Sequence, residues 1–461
     1  MYRLKVSVAD YEELKRLVFA DLPKEAGALA LAGVAECEGG TDVLVRRVVE
    51  IPRHLFRVQE HYRLEIAPQA ISGLVGLCQA NRLGAVLVHS HPEDIEYSAS
   101  DDFGEGRIFA TLRSSLEPDA PTASLLFYPG GIRGRVWLPG RAAPVNLDEV
   151  IVVGRQLHRV SIDGGRIVAC VASPVYDRQV RAFGQEGQAL LARTKVAIVG
   201  VGGTGSPVAE QLVRLGVRDV KLFDPDRFQS TNITRMYGTF HCPWWRRIVS
   251  RSPFKVYLLA RHLLRINPHI SVRPVPKNIV LESAARELRD RDVIFLCTDD
   301  HWGRSVVNQI AYQYLIPTIN LGARVSAEDG VIRAAVGVVD VLRPGLPCLW
   351  CTQFLRADRI AAESMPIASR KQLEAERYVE GLDTPAPSVV SITTAVAGMA
   401  VSLFLQQMTD WMGPGGDVAR LNYNVMDATV RRGRAFVPDK CVCGKSRGCG
   451  DLRPLPTLRA L

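Results

Sequence analysis

Two short segments of the sequence contain candidate catalytic and ligand-binding residues. In the first, His89 and His91 are separated by one residue and follow an apolar run, Gly84 to Val88. Side chains two positions apart on a strand point to the same face, so both imidazoles can reach one metal ion. Ser98-Ala-Ser-Asp101 has the spacing of a helix N-cap followed by an acid, which would direct Asp101 back toward the strand end. Three protein ligands that leave a fourth position to water predict a hydrolytic zinc site.

This segment resembles the JAMM (MPN-type) metallopeptidases, which remove ubiquitin-like tags or trim ubiquitin-like precursors. In that family an upstream glutamate before a glycine-containing apolar strand holds and deprotonates the zinc-bound water, and Glu25, followed by Ala-Gly-Ala-Leu, matches it. The resemblance implies that Glu25 is the general base and that Ser98 stabilises the oxyanion. The family usually places its acidic ligand eleven residues after the second histidine, which selects Asp102, whereas the serine-to-acid spacing selects Asp101. We favour Asp101.

The second segment is rich in glycine. Gly200, Gly202, Gly203 and Gly205 separate a predicted strand from a predicted helix. Backbone N–H groups in such a turn, together with the positive end of the helix dipole, favour phosphate. Asp224 ends the next predicted strand about twenty residues later, where it can accept hydrogen bonds from a ribose. Glycines also serve tight turns without ligands, and these features alone would fit a nicotinamide dehydrogenase.

The residues that follow favour ATP over a dinucleotide. Asn232, Arg235 and Lys255 supply polar and cationic groups for a triphosphate, and Asp299 supplies a carboxylate for magnesium. With the glycine turn, they resemble the ThiF and MoeB group of adenylating enzymes, which includes the adenylation domains of ubiquitin-activating enzymes. The resemblance covers residues 173–461.

The resemblance to ThiF and MoeB implies a role for each polar residue. The ribose would be bound by Asp224, the phosphates by Asn232, Arg235 and Lys255, and magnesium by Asp299, while a partner's C-terminal carboxylate attacks the α-phosphate. The group's opening segment is matched by Asp-Arg-Gln-Val-Arg-Ala-Phe-Gly from residue 177. It implies that Arg178 reaches the triphosphate of the neighbouring subunit, and therefore a homodimer.

The ten cysteines are clustered in a way that indicates metal binding rather than a disulfide scaffold. Cys348 and Cys351 form one half of a four-thiolate site. Cys441 offers the third thiolate, and Cys443 and Cys449 compete for the fourth place. A four-thiolate site is closed, so this zinc would be structural.

Ubiquitin-activating enzymes also carry a nucleophilic cysteine that forms a thioester with the tag, usually between the two zinc halves. The sequence has no cysteine between residues 351 and 441. Cys242, close to Arg246 and Arg247, is the remaining candidate, because thiolate reactivity needs nearby positive charge and exposure. Because the usual position between the zinc halves has no cysteine, we expect adenylation without thioester transfer by this chain.

Alternating strand and helix patterns predict an α/β chain with two main domains. Residues 1–138 are predicted to form a mixed α/β metallopeptidase domain, in which the first six residues alternate like an edge strand. Residues 139–172 read as a strand-rich connector, and residues 173–461 as a Rossmann-like adenylating domain with a mostly parallel sheet.

Composition limits the partners. The 57 basic and 48 acidic residues describe a mixed surface, so no nucleic acid is expected despite the net charge of +9. The N-terminus lacks the apolar region of a secretion signal, which predicts a cytoplasmic protein. The uncharged residues 388–405 raise the question of a membrane span, but no second such segment exists. We expect a buried helix there and no membrane partner.

We interpret the chain as a bifunctional enzyme of a bacterial-type ubiquitin-like pathway. One half would trim or remove a ubiquitin-like protein with zinc, and the other would adenylate its C-terminal glycine with ATP and magnesium. A ubiquitin-conjugating-like transfer enzyme would be a further partner. One alternative is that a sulfur-carrier protein is processed and activated for thiocarboxylate formation. Another is a binding scaffold with one inactive half.

Overall fold

The structure is a computed structural model of the chain. It describes residues 1–93, 96–138, 140–141, 143–161, 173–241, 252–366, 369, 387–434, 436–438 and 441–458. These residues divide into two compact units. The first contains the described residues from 1 to 161 together with 313–315 and 446–454. The second contains those from 173 to 312, 316 to 445 and 455 to 458.

The first unit has eleven strands and three helices among its described residues. In chain order they are β1 (Tyr2–Ser7), α1 (Val8–Val18), β2 (Gly27–Cys37), β3 (Gly40–Glu50), β4 (Phe56–Gln59), β5 (Leu64–Ile66), α2 (Pro68–Asn81), β6 (Gly84–Ser90), α3 (Ala99–Ser115), β7 (Thr122–Tyr128), β8 (Gly131–Val136), β9 (Val145–Asn146), β10 (Glu149–Val153) and β11 (Leu157–Ser161). Strands β4 and β5 form a separate hairpin, and the other nine form one sheet in the order β11-β10-β1-β3-β2-β6-β7-β8-β9.

Side chains of the nine-stranded sheet alternate between two hydrophobic cores, one on each face. Along β6, Val86 and Val88 belong to the core that contains the apolar side of α1. Ala85 and Leu87 belong to the opposite core, with α2 and α3. This period of two explains why all seven residues of β6 are buried. It also places His89 on the face that carries α2 and α3.

Two sequence predictions for this unit are wrong. Strand β1 is not an edge strand, because it pairs in parallel with both β3 and β10. The predicted connector contains β9, β10 and β11, which belong to the first sheet. The physical reason is burial: Val150 and Val152 alternate into the core shared with α1 and are at most 4% exposed.

Residues 446–454 also pack in the first unit, although they lie in the predicted adenylating domain. Strand β6 pairs with β2 only as far as Ala32. Beyond that point the C-terminal segment continues the ladder: Gly33 N donates to Gly448 O at 3.1 Å, and Asp451 N donates to Val34 O at 2.6 Å. The segment therefore satisfies backbone groups of β2 that β6 leaves open.

The second unit alternates strands and helices. In chain order they are α4 (Asp177–Arg193), β12 (Lys195–Val199), α5 (Gly205–Arg214), β13 (Asp219–Phe223), α6 (Lys255–Ile266), β14 (Ser271–Val275), α7 (Glu282–Ala285), β15 (Val293–Leu296), α8 (His301–Gln313), β16 (Thr318–Glu328), β17 (Val331–Leu342), α9 (Ala357–Glu363), α10 (Val390–Thr409), β18 (Arg420–Asn424), β19 (Thr429–Arg432) and α11 (Val442–Ser446). The last residues of α8 and α11 belong to the first unit.

The eight strands of this unit form one sheet in the order β14-β13-β12-β15-β16-β17-β18-β19. The first five are parallel neighbours, which confirms the predicted α/β fold with a parallel sheet. The last three are antiparallel and were not predicted. The strand order reverses between β12 and β15. In open α/β sheets, ligands bind in the crevice at the carboxyl ends of the strands at such a point.

Helix α10 is the one helix of the described chain that is long and apolar enough to cross a membrane. Within it, 56% of the apolar window is buried in the protein. The ring of Phe404 lies 5.7 Å from that of Phe295 on β15, so one side of the helix packs on the sheet. Length and composition are therefore explained by packing on a core, as the sequence predicted.

Candidate functional site

The three predicted metal ligands of the first unit lie together at the end of β6. Asp101 Oδ1 is 3.4 Å from His89 Nε2, and Asp101 Oδ2 is 3.3 Å from His91 Nε2. The ligand atoms of all three residues lie within 4.8 Å of one another. Tetrahedral zinc with bonds of about 2.0–2.1 Å separates its ligand atoms by roughly 3.3 Å. The spacing therefore fits one zinc ion.

The protonation states of these residues also fit a metal ion. Burial lowers the pKa of His89 to about 4, so its imidazole is neutral at pH 7. His89 Nε2 is buried and has no hydrogen-bond partner in the described chain. Burial alone would raise the pKa of Asp101, but its hydrogen bonds to His91 and Ser98 and the nearby His89 lower it well below its usual range. A neutral imidazole and an ionised carboxylate are the forms that bind zinc.

Ser98 and Asp101 form the capping box that their spacing predicted. Ser98 is the N-cap of α3: its Oγ accepts from Asp101 N at 3.1 Å, and Asp101 Oδ2 accepts from Ser98 N at 2.7 Å. Asp102 instead pairs with Arg135, whose Nη1 is 2.5 Å from Asp102 Oδ1. The geometry thus brings Asp101, and not Asp102, to the histidines, while Ser98 Oγ lies 2.7 Å from Asp101 Oδ2.

Glu25 lies just before β2 and close to His91. Its Oε1 is 3.7 Å from His91 Nε2, and the residue is 6% exposed. Burial raises the pKa of Glu25 to about 7, although the charge of His91 acts in the opposite direction. A carboxylate with a pKa near neutrality, beside a candidate metal centre, can exchange a proton with water or a leaving group. Its position suits the general-base role that the sequence suggested.

Two residues at this site were not predicted from the sequence. The ring of Tyr97 lies 5.8 Å from that of His89, and the guanidinium of Arg135 lies 3.7 Å from the centre of the Tyr97 ring. Tyr97 could have been predicted to lie at the site, because it is next to Ser98 in the sequence. Arg135 is on β8, and no local pattern connects it to the histidines.

The second unit contains a cavity of about 450 Å³ at the point where the strand order reverses. All but one of the predicted nucleotide-binding residues line it: Gly200, Gly202, Gly203, Asp224, Asn232, Arg235, Lys255 and Asp299. The exception is Gly205, which begins α5 directly behind the glycine turn. The cavity therefore brings together residues that the sequence selected from five separate segments.

The four glycines of the turn differ in their conformation and in the space around them. Gly200 has a φ of +87°, and a Cβ on Gly205 would lie 1.9 Å from Gly200 O, so these two positions are required by the turn and by its packing against α5. A Cβ on Gly202 would meet nothing within 4 Å. Gly203 faces Arg235 and Thr393, each 3.5 Å from where a Cβ would lie. Packing within the described residues therefore does not require glycine at position 202 or 203, and a phosphate-binding role for these two positions stays a prediction.

Asp224 directly follows β13 and points its carboxylate at this turn. Its Oδ2 accepts from Val201 N at 2.9 Å, and its Oδ1 accepts from Asp226 N at 2.9 Å. Burial raises the pKa of Asp224, although Lys255 acts against this. Asn232 is also buried, and its Oδ1 accepts from Gln229 N at 2.9 Å. Both side chains are therefore fixed in place at the cavity wall.

Asp299 and Asp300 follow β15 and have different surroundings. Asp300 accepts hydrogen bonds from Thr298 Oγ1 and Gly303 N and so closes the first turn of α8. Asp299 has no side-chain hydrogen bond or ion pair within the part of the chain that the structure describes, and it lines the cavity. Of these two carboxylates, which both line the cavity, Asp300 is occupied by hydrogen bonds within the chain, and the magnesium role of Asp299 stays a prediction.

Sequence reasoning missed Arg304 and Lys277, which also line the cavity. Arg304 is 7% exposed and donates to Thr298 O at 2.6 Å and to Leu321 O at 3.1 Å. These bonds tie the loop that carries Asp299 to β16. The sequence could have indicated Arg304, because it lies in the first turn of α8, the helix that follows Asp299.

Some predicted residues lie apart from the cavity or outside the described residues. Arg178 is exposed on α4 and does not line the cavity of its own chain. Its role in a neighbouring subunit stays a prediction. Cys242, Arg246 and Arg247 lie outside the described residues, so the thioester question is untouched.

Four of the clustered cysteines could hold a metal ion. Sγ–Sγ distances are 3.5 Å for Cys348 and Cys351, 3.4 Å for Cys348 and Cys441, 3.3 Å for Cys351 and Cys441, and 3.8 Å for Cys351 and Cys443. Zinc–sulfur bonds of about 2.3 Å separate tetrahedral thiolates by roughly 3.8 Å. The fourth place goes to Cys443, because Cys449 packs in the first unit, 3.4 Å from Arg46 Nη1.

Comparison with known proteins identifies relatives of the second unit. Residues 176–444 match the model of the ThiF family. Over 234 residues the chain is 28% identical to the molybdopterin-synthase adenylyltransferase of Escherichia coli K12, which covers 48% of this chain and 88% of that protein. It is 30% identical over 182 residues to the enzyme of the same name from Salmonella typhimurium LT2, which covers 39% of this chain and 68% of that protein.

A further relative is the sulfur carrier protein ThiS adenylyltransferase of Bacillus subtilis 168. It is 28% identical over 179 residues, covering 38% of this chain and 49% of that protein. Among solved structures, that of E. coli MccB with succinimide is similar, with a TM-score of 0.47 and 19% identity over 61% of this chain and 76% of that one.

Proposed function

The chain belongs to the ThiF family, and on that premise we propose that it adenylates the C-terminal carboxylate of a sulfur-carrier protein with ATP. Activation of a sulfur-carrier protein, an alternative that the sequence left open, replaces ubiquitin-type conjugation as the main interpretation. Relatives named as adenylyltransferases of molybdopterin synthase and of the sulfur carrier ThiS support the choice. The cavity that joins a glycine turn, Lys255, Arg235 and Asp299 carries the proposal.

The predicted residues of the cavity have distinct parts in this reaction. Backbone N–H groups of the glycine turn and the start of α5 bind phosphate oxygens, and Asp224 accepts from the ribose hydroxyls. The partner's carboxylate oxygen forms a bond to the α-phosphorus as the bond from that phosphorus to the pyrophosphate oxygen breaks. Arg235 and Lys255 neutralise the charge that collects on the phosphates. Magnesium, when bound, neutralises more of that charge, and Asp299 is the residue that would hold it.

ATP–pyrophosphate exchange with purified carrier proteins that end in Gly-Gly tests the proposal. We expect exchange that depends on the partner and is lost in Lys255→Ala and Asp299→Asn. Lys195→Ala is the control, because this lysine begins β12 but does not line the cavity. Absence of partner-dependent exchange with every carrier tried would refute the proposal. Mass spectrometry of the partner's C-terminus then separates a thiocarboxylate from a protein conjugate.

We infer a second activity, zinc-dependent hydrolysis by the first unit, from the arrangement of His89, His91, Asp101 and Glu25. Zinc, when bound, makes its water a nucleophile at neutral pH and polarises the carbonyl of the substrate. Glu25 would accept a proton from water and pass it to the leaving amine, and Ser98 Oγ would donate a hydrogen bond to the oxyanion. The substrate would be a peptide or isopeptide bond at the C-terminus of the same carrier.

Metal content tests this activity independently of the adenylation test. We expect two zinc ions per chain: one lost in His89→Ala, the other in Cys348→Ser. Glu25→Gln should keep both ions and lose cleavage of a carrier with residues beyond Gly-Gly, followed by mass spectrometry. A wild-type chain with a single zinc ion, retained in His89→Ala, would favour the scaffold alternative for the first unit.

We also infer that Arg178 acts in the cavity of a second copy. Its exposure on α4 and its absence from the cavity of its own chain support this arrangement. Mixing Arg178→Ala with Lys255→Ala chains tests it, because each mixed dimer would contain one complete site. Recovery of exchange activity on mixing is expected, and no recovery in dimers of proven mixed composition would contradict it.

A further inference from the structure

A stack of three side chains connects strand β8 with the histidines of the first unit. The guanidinium of Arg135 lies 3.7 Å from the centre of the Tyr97 ring. The Tyr97 ring lies 5.8 Å from that of His89, with the two planes inclined by 63°. Tyr97 is held at its other end as well, because its hydroxyl accepts from Ser124 Oγ at 3.3 Å. The imidazole of His89 therefore has one wall whose position depends on Arg135.

The same guanidinium anchors the start of α3. Arg135 Nη1 is 2.5 Å from Asp102 Oδ1, and Arg135 Nε is 2.9 Å from Glu105 Oε2. These acids belong to the first two turns of α3, where Ser98 is the N-cap and Asp101 is the third helical residue. Glu105 Oε2 also accepts from Trp137 Nε1 at 3.0 Å. The helix turn that presents Asp101 is thus attached to the sheet through Arg135.

Arginine is suited to this double contact in a way that lysine is not. The planar guanidinium stacks on an aromatic face while its edges donate to two carboxylates in fixed directions. Arg135 is 5% exposed and the Glu105 side chain 7%, so this part of the arrangement is shielded from water, whereas the Asp102 side chain reaches the solvent. A lysine ammonium is a point charge on a flexible stem and could not keep both the stack and the two carboxylates in register.

We propose that Arg135 is a positioning residue for the metal centre of His89, His91 and Asp101. It sets His89 through Tyr97 and sets Asp101 through Asp102 and Glu105, so two of the three ligands depend on one guanidinium. Groups behind metal ligands fix the orientation of those ligands and so set metal affinity. The inference rests on the proposed hydrolytic function of the first unit.

Metal affinity of the full chain, measured by competition with a chelator, tests the proposal. The variants are Arg135→Lys and Arg135→Gln, with the Cys348 cluster intact and filled. We expect the dissociation constant of the histidine centre for zinc to rise about 10–100-fold in both variants, and the visible spectrum of bound cobalt to change. Arg159→Gln is the matched control, because Arg159 is equally buried in the same sheet and pairs with Glu149 at 2.6 Å.

The outcomes separate a positioning role from a structural one. A rise in Arg159→Gln as large as that in the Arg135 variants would assign the effect to general destabilisation and overturn the proposal. So would wild-type affinity and spectrum in Arg135→Gln. If Arg135→Gln does not fold, Tyr97→Leu should weaken binding more than Tyr97→Phe, which keeps the ring and loses only the hydrogen bond to Ser124. Equal affinity in those two variants would contradict the stack. A wild-type chain with no metal at the histidine centre would instead overturn the proposed hydrolytic centre itself.

Discussion

Lys255 Nζ lies 2.7 Å from Asp226 Oδ2 and 4.0 Å from Asp224 Oδ1. The lysine selected from the sequence as a phosphate ligand is thus held by the two acids that follow β13. These contacts position the ammonium at the cavity wall while its charge is compensated. A triphosphate entering the cavity would exchange places with Asp226 as the partner of Lys255. The Asp226 side chain is 64% exposed, so its carboxylate can be hydrated instead.

This exchange predicts opposite effects for the two partners. Lys255→Ala should raise the dissociation constant for ATP with magnesium about tenfold or more, because a charge-assisted hydrogen bond contributes about 1.5–3 kcal/mol. Asp226→Asn should leave binding unchanged or tighten it, since the lysine loses a competing anion. Isothermal titration calorimetry measures both. Weaker binding in Asp226→Asn would show that Asp226 contacts the nucleotide or its metal.

Substitutions at the neighbouring acids Asp299 and Asp300 should have different effects: the first should change ATP binding and the second should change stability. Asp299→Asn should abolish the magnesium dependence of ATP binding with little change in melting temperature. Asp300→Ala should lower the free energy of unfolding by about 1 kcal/mol, because Asp300 closes the first turn of α8. Calorimetric titration with and without magnesium, together with thermal unfolding, distinguishes them. An equal loss of stability in both variants would contradict this division.

Two glycines of the turn should differ in the same way. Gly205→Ala places a Cβ 1.9 Å from Gly200 O, which should cost about 1–3 kcal/mol of stability or more. Gly202→Ala finds open space, so the melting temperature should be close to that of the wild type. ATP binding should nevertheless weaken in Gly202→Ala, because the methyl group would occupy space meant for phosphate. Wild-type affinity in that variant would exclude a close approach of phosphate at Gly202.

Acid stability should depend on Asp290 of the second unit. Burial alone would raise the pKa of Asp290, but hydrogen bonds and charges from Arg291 and Lys221 outweigh it and lower the pKa to about 2. A carboxyl whose pKa is lower in the folded state stabilises fully above its unfolded pKa of about 3.9, and the contribution disappears as pH falls toward 2. With screening by solvent, it amounts to about 1–2 kcal/mol.

Asp290→Asn should therefore destabilise the protein at pH 7 and flatten the dependence of stability on pH between about 4 and 2. Urea unfolding at a series of pH values checks both effects. Asp226→Asn is the control, because that carboxylate is largely exposed. An unchanged slope in Asp290→Asn would exclude this group as a source of acid sensitivity.

The cysteine cluster makes a prediction about its fourth ligand. Cys443→Ser should lower zinc content by one ion per chain, whereas Cys449→Ser should not, because Cys449 lies beside Arg46 in the first unit. Elemental analysis after dialysis against a mild chelator measures the difference. The reverse result would mean that Cys449, and not Cys443, completes the site.

The sequence predicted features whose determinants are close along the chain. The βαβ unit around Gly200 and the strand β13 follow from apolar runs and turn residues within one window, and the capping spacing selected Asp101 over Asp102. Features that depend on residues distant in the sequence could not be predicted. The interior place of β1 depends on pairing with β10, and the antiparallel strands β17 to β19 carry no signal that separates them from other strands. Arg135 reaches the histidines only through the folded sheet.

The segment 446–454 has a practical consequence for dissecting the enzyme. An N-terminal fragment ending near residue 172 would leave the amide of Gly33 and the carbonyl of Val34 without their acceptor and donor, and it would expose the apolar side chains that Leu452 covers. A single cut in the chain would therefore not separate the two units. An N-terminal piece produced alone would need residues 446–454 joined to it to complete its sheet.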